Sequence, residues 1–196
     1  QEIKKKLDEM GAHYNYLEYD KLIEFVANKI YQQKIFGWFQ GEMEFGPRAL
    51  GNRSIIANPG SEEMQKNLNL KIKFRESFRP FAPAILEEEA KNWFNIDCKS
   101  PYMLMVADIL DKKRIKETSI EKNLQGIDKL NIKRSVIPAV THVDYSARIQ
   151  TVNKEDNHLF YKLIKKFFEK SNIPILVNTS FNVKDEPIVN TIEDAF

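Results

Sequence analysis

Residues 155–177 constrain the fold more than any other part of the sequence, because they place a one-sided helix directly before a buried strand. Apolar side chains recur every three or four residues from 159 to 168, which is the pattern of a helix with one apolar face. After Pro174, the run Ile-Leu-Val at 175–177 is typical of a strand that is covered on both sides. We therefore predict a helix over 155–170 and packed layers of helix and sheet.

The rest of the chain continues this alternation of helices and short strands. Further helices are predicted over 20–31, from 61 to about 70 and from 87 onward, and further strands over 35–39, 54–57, 102–107 and 137–144. Residues 111–135 are dense in Lys, Glu and Asn, and we expect an exposed excursion that is partly ordered at best. With no internal repeat and no low-complexity linker, the predicted fold class is α+β in a single domain over 1–196.

Composition excludes several classes of protein. Of the 196 residues, 42% are hydrophobic, so the chain can fill a core and is not intrinsically disordered. The 30 Lys and Arg residues against 28 Asp and Glu give a net charge of +2, which is too weak by itself to indicate nucleic acid or a membrane as a partner. There is no run of about 18 apolar residues, and one cysteine with three histidines cannot form a Cys/His zinc cluster. We expect a cytoplasmic protein without a metal site.

Residues 41–54 concentrate glycine and arginine in one polar loop. Glycine lets backbone N–H groups approach a ligand closely, and arginine binds phosphate or carboxylate through two parallel hydrogen bonds. Gly46 and Gly51 have the spacing of a phosphate-binding P-loop, but the Lys-Ser/Thr pair that should follow is absent, which excludes that motif. The alternative is a turn-rich connection whose arginines pair with Glu42 and Glu44.

A second unusual segment concentrates positive charge. Residues 66–79 contain a single acid, Glu76, and five basic side chains, namely Lys66, Lys71, Lys73, Arg75 and Arg79. In an extended segment most of these basic side chains would share one face, with apolar side chains on the other. Two prolines and interleaved aromatic residues favour a fixed loop, which predicts a clamp for a polyanion such as ATP. The alternative is a solvated basic strand edge that protects against aggregation.

A third segment, 141–150, carries polar side chains at alternate positions. They would share one face of a strand, and they are His142, Asp144, Arg148 and Gln150. His142 and Asp144 could form half of a metal site, but a second pair of ligands is missing. A hydrogen-bonded histidine at the edge of the core is therefore the favoured interpretation.

The fourth segment, 178–182, reads Asn-Thr-Ser-Phe-Asn and follows the predicted strand 175–177. Open α/β sheets bind ligands at the carboxyl ends of strands, so these short polar side chains are candidates for ligand hydrogen bonds. Ser180 lacks the Gly-x-Ser-x-Gly turn of a nucleophilic serine. With no acid–base dyad, catalytic triad or metal cluster, the four segments favour an anion-binding site for group transfer on phosphorylated or adenylylated substrates.

Together these motifs resemble the C-terminal domain of the NodU/CmcH-type O-carbamoyltransferases. The matching stretches are GWFQG at 37–41, MEFGPRALGNRS at 43–54, FRESFRPFAP at 74–83, THVD at 141–144 and NTSFN at 178–182. The resemblance extends from about Leu17 onward, but Asp185 stands where a glycine is expected and 111–135 match nothing in the family. Because a helix start at Thr191 lies just before the end of the sequence, we expect a fragment of a longer protein.

The resemblance implies a YrdC-like fold, with a twisted mixed β-sheet flanked by helices. It also implies that the domain binds ATP and carbamoyl phosphate, with Mg²⁺ on the ATP phosphates, and forms carbamoyl-adenylate. A separate N-terminal actin-like domain, which would hold the family's iron, then passes the carbamoyl group to a hydroxyl of a sugar or natural product. The alternative function is a YrdC-like module that binds RNA without catalysis, which the weak net charge disfavours.

The resemblance also assigns roles to residues of the four segments. The implied catalytic residues are Lys73, Arg79 and Arg148. The implied substrate-binding residues are Arg48, Arg75, Ser180, Asn182, Thr179 and His142. The basic members of this set would neutralise phosphate charge, and the polar members would hydrogen-bond the carbamoyl or phosphate oxygens.

Overall fold

The computed structural model describes residues 2–130 and 132–196, and over these residues it contains one six-stranded mixed sheet with helices on both faces. The strands are β1 (Phe36–Phe39), β2 (Arg53–Ala57), β3 (Ala82–Leu86), β4 (Met105–Asp108), β5 (Ser146–Val152) and β6 (Ile175–Ser180). Their order across the sheet is β1-β2-β6-β3-β5-β4, with β3 and β5 parallel and every other neighbouring pair antiparallel. This confirms the predicted α+β class.

The helices accompany the strands along the chain. They are α1 (Glu2–Glu9), α2 (Tyr19–Tyr31), α3 (Met64–Lys71), α4 (Ala90–Trp93), α5 (Ser119–Lys122), α6 (Gly126–Leu130), α7 (His158–Ser171) and α8 (Ile192–Ala195). Short 3₁₀ turns occupy Glu87–Glu89, Asp111–Lys113 and Pro138–Val140. No helix in the described ranges is long and apolar enough to cross a membrane.

Alternate residues of the central strands face two separate hydrophobic cores. Ile56 and Leu176 pack under α2 and α7, whereas Ile55, Ile175 and Val177 pack on the opposite face with α3 and α4. A strand covered on both faces must be apolar at every position, which explains the uninterrupted Ile-Leu-Val run that the sequence shows. The site described below lies on the face that carries α2 and α7.

Helix α7 confirms the strongest prediction from the sequence. Its apolar face is fully buried against the sheet and α2 through Phe160, Leu163, Ile164 and Phe167. The Asn157 side chain accepts a hydrogen bond from the Phe160 N–H and so begins the helix. The chain leaves the helix through a left-handed residue at position 172.

The predicted strand 137–144 is wrong. Residues 138–140 form a 3₁₀ turn, and β5 begins only at Ser146, because the Asp144 carboxylate accepts hydrogen bonds from both the N–H and the hydroxyl of Ser146. This turn places Tyr145 at a φ of 66°, in the left-handed region, where a strand cannot continue. The polar residues of 141–150 therefore do not share one strand face.

The sequence does not predict β3, because Pro80 and Pro83 favour a loop there. Pro83 lies in β3 opposite Val177 of β6, but pairing with β5 starts at the next residue, Ala84. Proline has no N–H to donate to a neighbouring strand. Position 83 tolerates it because the hydrogen-bonded pairing of β3 with β5 begins one residue later. The basic segment before β3 is helical as far as Lys71 and irregular beyond it, so its cations do not share one extended face.

The excursion 111–135 is more ordered than predicted. It contains the short helices α5 and α6, and an isolated β-bridge joins Arg114 to Ser135. Most of it is exposed as predicted, but Arg134 and Ser135 are buried. Arg134 donates to the backbone carbonyls of residues 129, 130 and 132, which removes the cost of burying its charge without a partner.

Candidate anion-binding site

A cavity of about 200 Å³ lies where the loop 47–49, the segment before β3, and the strands β5 and β6 meet. Three arginines from different segments line it, namely Arg48, Arg75 and Arg148, and Thr179 and Ser180 of β6 complete its polar wall. All five belong to the set that the sequence assigned to the site. The fold thus brings together side chains that lie as far apart in the chain as positions 48 and 180.

The floor of this cavity is one row of residues across the sheet. Ala82 lies opposite Asn178 in the β3–β6 ladder, and Ala84 lies opposite Gln150 in the parallel β3–β5 ladder. Continuing the second register back by two residues places Ala82 beside Arg148. The small Ala82 side chain therefore separates two polar ones and leaves room for a ligand between them.

The three arginines of the cavity have no anionic partner among the residues that the structure describes. None of them forms an ion pair with a carboxylate, and the Arg148 Nε is buried without any hydrogen-bond partner. Burial, followed by the proximity of Arg48, lowers the pKa of Arg148. Burial and the proximity of Arg79 likewise lower the pKa of Arg75, against the opposing effect of Glu76. Cations that are desolvated and repel one another favour the binding of an anion between them.

Arg75 is held in place by neutral contacts. Its Nε donates to the Asn69 side-chain oxygen at 2.6 Å, and its guanidinium stacks over the Phe81 ring at 4.9 Å from the centroid. Neither contact neutralises the charge, so the group remains available to an anion.

Two buried amides connect the arginine loop to the floor of the cavity. Asn178 donates from Nδ2 to the Ala49 carbonyl at 3.1 Å and to the Gln150 Oε1 at 2.7 Å. Gln150 in turn donates to the Leu50 carbonyl at 2.7 Å. These bonds fix the backbone next to Arg48 over strands β5 and β6. The sequence does not reveal this role, although Asn178 lies in the NTSFN motif and Gln150 lies two residues after Arg148.

The loop 41–54 is organised by its own backbone, which corrects the alternative that its arginines pair with Glu42 and Glu44. Among the described residues neither arginine forms an ion pair. Glu44 instead accepts hydrogen bonds from the N–H groups of Leu50 and Asn52, both at 2.7 Å. Arg53 is buried, donates to the Gln40 and other backbone carbonyls, and stacks over the Phe39 ring. Only one of the two arginines therefore faces the cavity.

Glycines of two motifs allow close packing beside the cavity. Gly51 has a φ of 114°, and a Cβ at this position would lie 2.4 Å from the Phe160 ring at the start of α7. A Cβ on Gly37 would lie equally close to the Phe181 ring, which follows β6. Any larger residue would push the loop or β6 away from its neighbour, so these glycines fix the position of the site.

Lys73, a predicted catalytic residue, is buried beside β6 and lies outside the lining of the cavity. Its ammonium donates to the Ser180 carbonyl at 2.6 Å, the Asn182 Oδ1 at 2.7 Å and the Asn182 carbonyl at 3.0 Å. The Ser180 hydroxyl lies at 3.3 Å. Burial, and secondarily the nearby Arg75, lower the pKa of Lys73 to about 8. This lysine holds in place two residues of the predicted site.

The structure places Arg79 and His142 away from the cavity. Arg79 is exposed and forms an ion pair with Glu76 at 2.9 Å. His142 contacts the Ser146 hydroxyl through Nδ1 at 3.1 Å, and burial lowers its pKa. It lines a different cavity, of about 420 Å³, between α3 and the turn that precedes β5.

Position 185, where the resemblance predicts glycine, has a φ of 64°. This is the left-handed region that glycine adopts at little cost and that Asp tolerates better than most residues. The turn geometry that a glycine would serve is therefore present with Asp185. The same turn receives the Asn182 Nδ2, which donates to the Glu186 carbonyl at 2.7 Å.

The geometry thus defines an α+β domain with a candidate anion-binding cavity, in which three guanidinium groups converge without a carboxylate partner among the described residues. Comparison with known families then identifies it more closely. The family model described as carbamoyltransferase C-terminus matches residues 27–196, and the chain belongs to this family.

Three relatives illustrate the range of proteins that carry such a domain. The chain is 53% identical over 94% of its length to an uncharacterized protein of Synechocystis, sll1178. It is 38% identical over 98% of its length to nodulation protein NolNO of Sinorhizobium fredii. It is 35% identical over 91% of its length to the 3'-hydroxymethylcephem-O-carbamoyltransferase of Amycolatopsis lactamdurans. The aligned regions cover 30%, 26% and 29% of these relatives, so the chain spans less than a third of each.

Proposed function

We propose that this domain binds carbamoyl phosphate and ATP and forms carbamoyl-adenylate, within a protein that carbamoylates a hydroxyl group. The observation that carries the proposal is the convergence of Arg48, Arg75 and Arg148 on one cavity without any described carboxylate to pair with them. Membership of the carbamoyltransferase C-terminus family supports carbamoyl transfer as the chemistry. A site built of cations and neutral hydrogen-bond donors suits reactions that proceed by positioning and charge neutralisation.

The proposed reaction balances in two steps. Water first attacks the phosphorus of carbamoyl phosphate. The bond between phosphorus and the bridging oxygen breaks, which gives carbamate and inorganic phosphate. A carbamate oxygen then attacks the α-phosphorus of ATP, a bond forms between them, and pyrophosphate leaves with the electron pair of the broken P–O bond. The arginines would offset the negative charge that builds up on the phosphoryl oxygens in both steps.

The cavity volume limits which part of each substrate it can hold. A volume of about 200 Å³ accommodates a phosphate and a carbamoyl group, whereas whole nucleotide sites fall within the roughly 300–1,000 Å³ of common ligand pockets. The anionic ends of the substrates would therefore occupy the cavity, and the adenosine would extend outside it. Thr179 and Ser180 would hydrogen-bond the enclosed groups. Lys73 would keep Ser180 and Asn182 in position, and Arg79 would act from the outer side of the basic segment.

Magnesium fits this arrangement as an ion that is bound to the phosphates of ATP. The lining of the cavity contains no carboxylate, and no group of three or more His, Cys, Asp or Glu suited to a metal occurs among the described residues. A magnesium ion prefers oxygen ligands and commonly uses substrate phosphates as such. The nucleotide would therefore bring the ion, and the protein would contribute arginines rather than metal ligands.

The transfer step would use a second domain. Relatives such as nodulation protein NolNO are several times longer than the aligned region, which covers 26% of that protein. We propose that an N-terminal actin-like domain of the same polypeptide, together with its iron, receives carbamoyl-adenylate and carbamoylates a sugar or natural-product hydroxyl. The carbamoyltransferase name of the Amycolatopsis relative supports this direction of transfer.

Exchange of labelled pyrophosphate into ATP tests adenylate formation without the acceptor. We expect the chain, supplied with Mg²⁺, ATP and carbamoyl phosphate, to incorporate label, and to lose this exchange when carbamoyl phosphate is omitted. The variant Arg148→Met should abolish the exchange while remaining folded. A folded wild-type chain that binds neither ATP nor carbamoyl phosphate would contradict the proposal.

A further inference from the structure

Two residues that line the cavity each carry a buried polar atom without a partner. These atoms are the Nε of Arg148, which is a donor, and the Oδ1 of Asn178, which is an acceptor. Two other arginines in the described ranges also have a buried, unpaired Nε, but Arg53 and Arg134 each donate from other nitrogens to several backbone carbonyls. Arg148 makes no such bonds. An unpaired buried polar atom costs free energy, and a pair of them beside one cavity indicates a missing partner.

The orientation of the Asn178 amide is fixed by its neighbours. The Gln150 side chain uses its nitrogen on the Leu50 carbonyl, so its oxygen must face Asn178. Asn178 must then present its nitrogen to that oxygen, and the same nitrogen also reaches the Ala49 carbonyl. The group left over is therefore the oxygen, and it cannot be exchanged with the nitrogen by rotating the amide.

The two unpaired atoms belong to side chains on one sheet face. Asn178 and Arg148 flank Ala82 in the row that forms the floor of the cavity. Asn178 is 1% exposed, so its oxygen is screened from bulk water. A ligand group that satisfies both atoms must carry a hydrogen-bond acceptor and a hydrogen-bond donor, as the C=O and NH₂ on the single carbon of a carbamoyl group do.

We propose that Asn178 determines specificity for the carbamoyl group, and this inference rests on the proposed function. The carbamoyl carbonyl oxygen accepts from the Arg148 Nε–H, and the carbamoyl NH₂ donates to the Asn178 Oδ1. The phosphate of the same substrate then meets the guanidinium groups of Arg48 and Arg75. Because both atoms are covered in the structure without ligand, neighbouring side chains must move aside to admit the carbamoyl group.

Acetyl phosphate is the competitor that this arrangement rejects. It differs from carbamoyl phosphate only in having a methyl group in place of NH₂, and the two have nearly the same size and charge. A methyl group cannot donate to the Asn178 oxygen and would leave it buried without a partner. Sites built to hydrogen-bond a substrate group discriminate strongly against an analogue that lacks it.

Calorimetric titration of the full chain with carbamoyl phosphate, acetyl phosphate and inorganic phosphate tests the inference. We expect wild type to bind carbamoyl phosphate at least about 10-fold more tightly than acetyl phosphate. In Asn178→Leu this ratio should fall to about 1, while inorganic phosphate still binds through the arginines. The matched control Gln150→Leu removes one neighbour of Asn178, but the Ala49 carbonyl still binds the Asn178 nitrogen and keeps the oxygen in place. This variant should weaken both substrates and preserve their ratio.

The outcomes separate this inference from the proposed function. Equal wild-type affinities for carbamoyl and acetyl phosphate would overturn the inference and leave the anion site intact. A ratio that persists in Asn178→Leu, or that collapses equally in Gln150→Leu, would also overturn it. If Asn178→Leu does not fold, the smaller Asn178→Ala is titrated in its place. Failure of wild type to bind any of the three anions would instead overturn the proposed function itself.

Discussion

Lys73 is buried next to the candidate site and Arg148 is half-buried in its lining, and these two cations differ in their hydrogen-bond partners. Lys73 donates to oxygens of Ser180 and Asn182, so the protein itself supplies its partners. Arg148 has a buried Nε with no partner and lies beside Arg48, a second cation. A cation whose partners belong to the protein supports the structure, whereas one without partners is available to a ligand.

The same contrast divides the two arginines of the loop 41–54. Arg53 is buried among backbone carbonyls and stacks on Phe39, while Arg48 lines the cavity. The number of positive charges in a segment therefore does not tell which of them bind ligand. The assignment depends on which hydrogen bonds the fold has already formed.

Replacing Lys73 should have the largest effect on stability. In Lys73→Met the oxygens of Ser180 and Asn182 lose their donor inside the protein, and we expect the free energy of unfolding to fall by about 3 kcal/mol. Urea unfolding followed by circular dichroism measures this loss. A change below about 0.5 kcal/mol, which is typical of surface substitutions, would show that Lys73 is not a structural cation.

A substitution at Gly51 alters the packing of the loop 41–54 and leaves every charge in place, so it separates the effect of packing from that of charge. Gly51→Ala should reduce the free energy of unfolding by about 2–3 kcal/mol, because the new Cβ meets the Phe160 ring and the left-handed φ is strained. Gly46→Ala is the matched control, since Gly46 also has a positive φ but open space around it. Its smaller loss measures the backbone strain alone, and equal losses would contradict the packing argument.

Arg148→Met should weaken anion binding without destabilising the fold. Removing a charge-assisted hydrogen bond worth about 2 kcal/mol lowers the affinity for carbamoyl phosphate roughly 30-fold. Because the substitution also removes a half-buried cation whose buried Nε has no partner, the free energy of unfolding should not decrease. Calorimetry and urea unfolding on the same sample measure the two quantities. A large loss of stability with unchanged affinity would reverse the roles assigned to Lys73 and Arg148.

The depressed pKa of Lys73 predicts a particular pH dependence. Between its folded pKa of about 8 and its ordinary value of 10.5, the unfolded chain holds more protons on Lys73 than the folded chain does. The contribution of Lys73 to the free energy of unfolding therefore increases with pH across this window, by roughly 1 kcal/mol between pH 8 and pH 9. Urea unfolding of wild type and Lys73→Met at several pH values isolates this contribution. A wild-type advantage that shrinks over the window would contradict the lowered pKa.

The smallest effect is expected at Arg79, whose ion pair with Glu76 is exposed. Exposed ion pairs contribute about 0–1 kcal/mol, so Arg79→Ala should leave the free energy of unfolding nearly unchanged. Its affinity for carbamoyl phosphate should fall less than that of Arg148→Met. If titration shows the opposite order, the anion binds on the outer side of the basic segment rather than in the cavity.

Much of the fold and of the cavity lining could be predicted from the sequence, because strong periodicity and compact motifs carry that information. The apolar face of α7 identified a buried helix, and the motifs assigned Arg48, Arg148 and Ser180 to one site. The strand predicted at 137–144 failed because its β-prone residues are overruled by the turn in which Asp144 accepts from Ser146. Local propensity cannot register such a side-chain contact.

The sequence does not predict which cations bind ligand and which support the structure, because these roles depend on tertiary contacts. Lys73 donates to Ser180, which lies 107 positions away in the sequence. The amide contact between Asn178 and Gln150 likewise joins two strands that do not pair with each other. Motif membership groups such residues in one site, but only the fold shows which of them hold the site together.

A crystal structure of the chain with carbamoyl phosphate tests the central claim most directly, since it locates the anion that the unpaired arginines are inferred to bind. We expect the phosphate to lie between Arg48, Arg75 and Arg148, with Lys73 still bonded to Ser180 and Asn182. Phosphate bound instead at the exposed Arg79, with no ligand in the cavity, would contradict the account.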